Sequence, residues 1–117
     1  MFNAIAMERG KGFEDLLVWQ KARQICSDIY VITQTESFKY DTRFVQQIRS
    51  SSGSIMDNIA EGYERGGNKE FSNFLYLAKG SCGELRSQII RAHDVRHIDD
   101  PTFEELYKKA TILNKGI

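Results

Sequence analysis

The stretch YDTRFVQQIRSSSGSIMDNIAEGYER, Tyr40 to Arg65, decides the fold. Phe44, Ile48, Ile55, Ile59 and Tyr63 recur at the three- and four-residue steps, and multiples of them, that mark one face of a helix. Beside that seam, Gln47, Ser51, Ser54, Asn58, Glu61 and Arg65 form a second, unbroken stripe at the same spacing. This second stripe is wholly polar. A row of amides, hydroxyls, a carboxylate and a guanidinium is costly to bury unpaired and ordinary when wet, so its surroundings decide what the helix does. Gly66-Gly67 closes the helix, because glycine readily takes the left-handed conformation that follows a helix end.

The same period returns on both sides. A first helix is predicted from Leu16 to Gln34, with Asp15 as N-cap and Leu16, Trp19, Ala22, Cys26, Ile29, Tyr30 and Thr33 inside. Thr35 to Lys39 is its exit loop. A third helix is capped by Asn68, carries Phe71, Phe74, Leu75, Ala78, Cys82, Leu85, Ile89 and Ala92, and runs to about Val95. The polar His97 to Asp100 segment ends it. Asp100 then caps a fourth helix with Pro101 at its first position and Phe103, Leu106, Ala110, Leu113 and Ile117 along its seam.

Four helices joined by short connections predict an all-α, antiparallel up-down-up-down four-helix bundle over residues 13–117. Residues 1–12 read as a flexible leader. Because the last helix stops on the seam position Ile117, the C-terminus reads as cut short. Gly53, Gly80 and Gly83 each cost roughly 1 kcal/mol relative to alanine inside a helix, which predicts that the second and third helices approach closely there. Gly62 is expected to serve the same end near the turn.

A chain of 117 residues has room for one domain with one modest core. Its 16 basic and 16 acidic side chains balance, so no long-range field draws it toward a polyanion, and any such contact is local. Nothing approaches the roughly 18 consecutive apolar residues of a membrane span, and Met1 to Met7 carry no cleavage-site pattern. The chain reads as cytosolic, with no membrane partner. Cys26 and Cys82, one on each of two helices, fit neither a disulfide framework nor a zinc knuckle and read as buried free thiols.

A family resemblance is carried by Trp19-Gln20-Lys21-Ala22, Ile29-Tyr30, Gln47-Ile48-Arg49, Ser54-Ile55, Asn58-Ile59-Ala60-Glu61-Gly62 and Arg65. It continues through Lys69-Glu70-Phe71, Phe74-Leu75, Ala78, Gly80-Ser81 and Glu84-Leu85. Together these residues resemble the four-helix bundle family that includes proteins encoded within intervening sequences of bacterial large-subunit ribosomal RNA genes. The architecture is also similar to the accessory variability determinant of diversity-generating retroelements. The most specific part is Asn-Ile-Ala-Glu-Gly followed about twenty residues later by Gly-Ser-x-x-Glu-Leu, and the likeness spans Phe13 to Leu113. It implies a homo-oligomer, a homopentamer in many relatives, with no enzymatic activity and an association with RNA or a reverse transcriptase. Ser50 stands where relatives often carry a second arginine and Met56-Asp57 where they often carry proline, which dilutes the basic character; Lys39 follows Phe38 where relatives commonly carry another proline.

The candidate site residues fall into two groups. Gln47, Ser54, Asn58, Glu61 and Arg65, joined by Ser81 and Glu84, make a structural polar network or a subunit contact; the alternative is an exposed recognition surface. Arg49, Lys79, Arg86 and Arg91 are candidate nucleic-acid contacts, with Tyr76 or Tyr107 available for stacking. The competing reading of that group is a salt-bridged, solvated surface, since Glu104 and Glu105 share the last helix with Lys108 and Lys109. Arg49 and Arg65 could reach Glu61, Glu84 or an outer phosphate.

No cofactor is implied. Two function readings stand first, an accessory oligomer that binds RNA or a reverse transcriptase and a structural or protein-interaction oligomer with no nucleic-acid role; an enzyme built on Asn58, Glu61 and Glu84 is a third, but those groups alone specify no reaction. His93 and His97 stand four apart, as two metal ligands on one helix face would, yet no Glu-x-x-His accompanies them. They read as solvated histidines at a helix end, and no metal is expected. Gly10-Lys11-Gly12 lacks the spacing of a phosphate loop and belongs to the leader. Self-association is expected from the apolar bulk of Trp19, Phe44, Phe71, Phe74 and Phe103, which exceeds what one small seam easily hides.

Overall fold

The computed structural model describes residues 12–117; the leader, apart from Gly12, lies outside the described residues. Four helices follow one another: α1 Leu17–Ile32, α2 Thr42–Glu64, α3 Asn68–Asp94 and α4 Asp100–Gly116. Single 3-10 turns at Phe13–Asp15 and Glu36–Phe38 complete the fold. Contacts between neighbours run in opposite senses. Along α3 and α4, Lys79 meets Asn114, Cys82 meets Ala110, Arg86 meets Tyr107 and His93 meets Asp100. The same reversal joins α1 to α2 through Cys26–Ser52 and Thr33–Arg49, and α2 to α3 through Ser54–Ser81 and Gln47–Arg91. Lys109 and Asp28 close the ring from α4 to α1, giving the expected antiparallel bundle, about 43 Å long.

The seams are buried where period 3.6 places them, with two shifts in α1. In α1 the core line runs through Val18, Ala22, Ile25 and Ile29, leaving Cys26 half-buried and Tyr30 exposed, its ring under the Arg49 guanidinium at 4.7 Å. Trp19, Phe44 and Phe71 are buried and Phe103 is half-buried within a single chain. The aromatic surplus expected from the sequence is therefore largely absorbed by the core. The large apolar side chains left outside include Leu17 and Val31 on α1, Tyr40 in the first loop, Tyr76, Leu77 and Ile90 on α3, Val95 just beyond it, and Ile112 on α4.

Each predicted cap other than the glycine stop moves. Asp15 belongs to a 3-10 turn, and α1 begins after Leu16, whose own N–H bonds to the Phe13 carbonyl. Gly67, not Asn68, occupies the N-cap of α3. Asp99 rather than Asp100 caps α4, its Oδ1 accepting from the Thr102 N–H at 2.9 Å. Asp100 is thereby free to meet His93 Nε2 at 2.6 Å. Beyond α2, Gly66 takes the positive φ of 82° that the turn requires.

The glycine expectation divides. A Cβ at Gly53, Gly80 or Gly83 would meet nothing within 4 Å, so close helix approach within the chain does not explain them. At Gly62 a Cβ would lie 2.5 Å from the Phe74 Cβ and 3.2 Å from the Phe71 ring, so α2 and α3 close on each other there.

Candidate nucleic-acid interface

The polar stripe of α2 is buried or half-buried in its middle and exposed at both ends. Ser54 Oγ and Ser81 Oγ lie 2.9 Å apart across the helix pair, and Asn58 Nδ2 donates to the Ser54 carbonyl at 2.8 Å and to its hydroxyl at 3.0 Å. Ser51 Oγ turns back to the Gln47 carbonyl at 3.1 Å. Further along, Arg65 Nη2 donates to Glu61 at 3.0 Å with both side chains about half exposed, and the guanidinium also covers the Phe74 ring. Within the chain, then, the expected network contracts to Ser54, Asn58 and Ser81. Glu61 and Arg65 leave it for an exposed ion pair, while Glu84 is exposed and has no bonding partner among the described residues.

Toward the other end, α2 and α3 splay into a groove of about 650 Å³. Small hydroxyls, Ser50, Ser51, Ser54 and Ser87, line it, Gln46, Gln47 and Gln88 add amides, and Glu84 adds one carboxylate. Two arginines line it. Arg91 Nη2 donates to Gln47 Oε1 at 2.9 Å with its guanidinium 4.1 Å from the Phe44 ring centroid, so packing and a neutral acceptor hold the cation without neutralising it. Arg43 has no partner among the described residues. Around the corner, Arg49 is held by the Thr33 hydroxyl at 2.9 Å over Tyr30, beside a second hollow of about 600 Å³. Unneutralised guanidiniums above hydroxyls and amides suit a phosphate, because they supply charge and forked donors together.

The other expected basic contacts face elsewhere. Lys79 Nζ donates to the Asn114 carbonyl at 2.8 Å, and Arg86 donates to the Tyr107 hydroxyl at 3.0 Å while lying over its ring. Seven residues keep these two on one face toward α4, whereas five more turn Arg91 about 140° away, toward α2. Lys79, Arg86 and Arg91 therefore do not form one belt within a chain. Tyr107 is half-buried beneath Arg86 and against Phe103, while Tyr76 is 73% exposed. Lys109 pairs with Asp28 at 2.9 Å and Glu105 at 3.2 Å, and those bonds raise its pKa.

The histidines are not simply solvated. His93 stacks on Phe103 at 4.4 Å and meets Asp100; His97 sits against Phe38 at 4.6 Å and meets Asp41 at 2.8 Å. Each has its own carboxylate on a different element, so they do not share a ligand. No cluster of three metal-binding side chains occurs among the described residues. Cys82 is buried, its Sγ 3.4 Å from the Ala110 carbonyl, and desolvation raises its pKa despite Asn114, Arg86 and Lys79 nearby.

Four groove residues, Arg43, Gln46, Ser87 and Gln88, escaped the sequence reading. Arg43 stands one turn before Gln47, so extending the polar stripe by four residues would have found it. Gln88 falls three after Leu85 and four before Ala92, a polar side chain on an apolar seam.

Fold and groove together define an all-helical bundle whose longest helix pair carries an arginine-lined polar cleft. The family model described as 23S rRNA-intervening sequence protein matches residues 14–117, and the chain belongs to that family. It is not a known enzyme family. The comparison with curated proteins finds no match. Among the described residues no helix is long and apolar enough to cross a membrane.

Proposed function

We propose that the protein is a non-enzymatic cytoplasmic accessory factor that self-associates, as a homopentamer, and binds RNA through the α2/α3 groove. The observation that carries this reading is the pair Arg43 and Arg91, one without a partner among the described residues and one held by a neutral amide, on a cleft floored by serines. With balanced overall charge, one groove neutralises few phosphates, but a ring of subunits repeats it and gains by multivalency. Supporting self-association, Val31 is 66% and Leu77 56% exposed on the outer faces of α1 and α3. Beside Leu77, the unobstructed Gly80 leaves room for a second backbone.

Light scattering at micromolar concentration, followed by fluorescence anisotropy with labelled RNA at low salt, tests the reading. A pentamer mass with salt-sensitive binding is expected. The outer face of α3, with Tyr76 and Leu77 exposed, favours a second reading in which the oligomer contacts a protein such as a reverse transcriptase. An oligomer that binds no RNA at low salt selects that reading, and a monomer mass overturns the assembly.

A further inference from the structure

We infer that the bound RNA is single-stranded and crosses α2, with a phosphate held by Arg43 and Arg91 in the groove and a neighbouring base stacked on Tyr30 and Arg49 in the adjoining hollow. The inference rests on the RNA reading above. Groove and hollow are contiguous, because Gln46, Ser50 and Ser54 line both. Two of those three side chains are serines, so the ridge that a strand must cross is low.

Charge assigns the two parts of the nucleotide. In the groove two guanidiniums face the single carboxylate of Glu84, an excess that suits a phosphate. In the hollow one guanidinium, Arg49, is matched by one carboxylate, Asp57, so a neutral base fits there better than a second phosphate.

The hollow also has the stacking surface that the groove lacks. None of the groove-lining residues is aromatic, whereas Tyr30 lines the hollow and is 43% exposed. The Arg49 guanidinium lies over that ring, 4.7 Å from its centroid, and its Nε donates to the Thr33 hydroxyl at 2.9 Å. Ring and hydroxyl together fix the guanidinium in advance, so stacking a base beside it orders little that is not already ordered. Gly53 leaves the room: it lines the hollow, and a Cβ there would meet nothing within 4 Å. A duplex keeps its bases stacked inside the helix, whereas a single strand can splay one onto such a surface.

The test uses the full chain with labelled oligo(A), a strand of equal length carrying abasic ribose in place of its nucleotides, and the oligo(A)–oligo(U) duplex. The parent is expected to bind oligo(A) about tenfold more tightly than the abasic strand, the effect of one stacked base. Tyr30→Ala and Gly53→Leu, the second filling the hollow from a position with open space, each remove that tenfold advantage. Both leave duplex and abasic binding unchanged and keep the salt slope of oligo(A), because the phosphate contacts remain. Equal binding of oligo(A) and the abasic strand by the parent, or oligo(A) binding unchanged in both variants, overturns this inference and leaves the RNA reading intact. Failure of every strand to bind at low salt overturns the RNA reading itself.

Discussion

Gly62 and Phe74 meet so closely across the turn between α2 and α3 that a β-carbon on the glycine would stand 2.5 Å from the Phe74 Cβ. The obstructing atom is fixed to the α3 backbone and cannot swing aside, so relief requires the helices to part. Gly62→Ala is expected to destabilise the bundle by about 1–3 kcal/mol. Gly53→Ala, which meets nothing within 4 Å, is expected to stabilise it by up to about 1 kcal/mol. Urea unfolding of the pair checks both; equal effects at the two sites would contradict the packing described.

Asp99 gives the fold an acid-sensitive helix start. Its hydrogen bonds with Thr102 hold the Asp99 pKa below the ordinary carboxylate value. A folded-state pKa below the unfolded one contributes stability that is complete above the unfolded value, about 3.9, and is lost as pH falls through the folded value. Asp99→Ala should therefore melt lower than the parent at pH 7, with the gap closing below about pH 4. Thermal melts across that range measure it, and a gap that widens in acid would refute the cap.

The two thiols should react very differently. Burial and the raised pKa keep Cys82 protonated at neutral pH, while Cys26 is half-buried with Ser52 Oγ at 3.7 Å. Iodoacetamide at pH 8 is expected to label Cys26 in the folded protein and Cys82 only after denaturant is added. Mass spectrometry of labelled peptides would show an error in the core if Cys82 reacted first.

The bundle was legible because its apolar residues keep period 3.6 through four segments separated by clear breaks. Helix starts were less legible. Asp99 and Asp100 are equally suitable caps by composition, and only the competing contact from His93 explains how their roles divide. Tyr30 was misassigned because an aromatic at a seam edge can either enter the core or lie under a cation, and Arg49 comes from another helix. Similarly, Glu61 looks like part of a buried network because its stripe is continuous, although its carboxylate stays exposed and pairs with Arg65 one turn on in the same helix. The groove was half visible: Gln47 and Arg91 were identified, but their direct bond depends on the register of α2 against α3. Lys79 and Arg86 share a helix with Arg91 but face α4, because Arg91 lies about 140° further round and faces α2.

The central claim is that Arg43 and Arg91 make the α2/α3 groove an RNA contact. Fluorescence anisotropy of a labelled single-stranded RNA, titrated over a salt series, tests it most directly in the parent and in the Arg43→Ala/Arg91→Ala double variant. Each arginine that neutralises a phosphate contributes about 0.7 to the slope of log affinity against log salt for a single strand. The account predicts a steep parent slope that falls by about 1.4 in the variant, with affinity lost at every salt concentration. Identical slopes and affinities in the two proteins would contradict it.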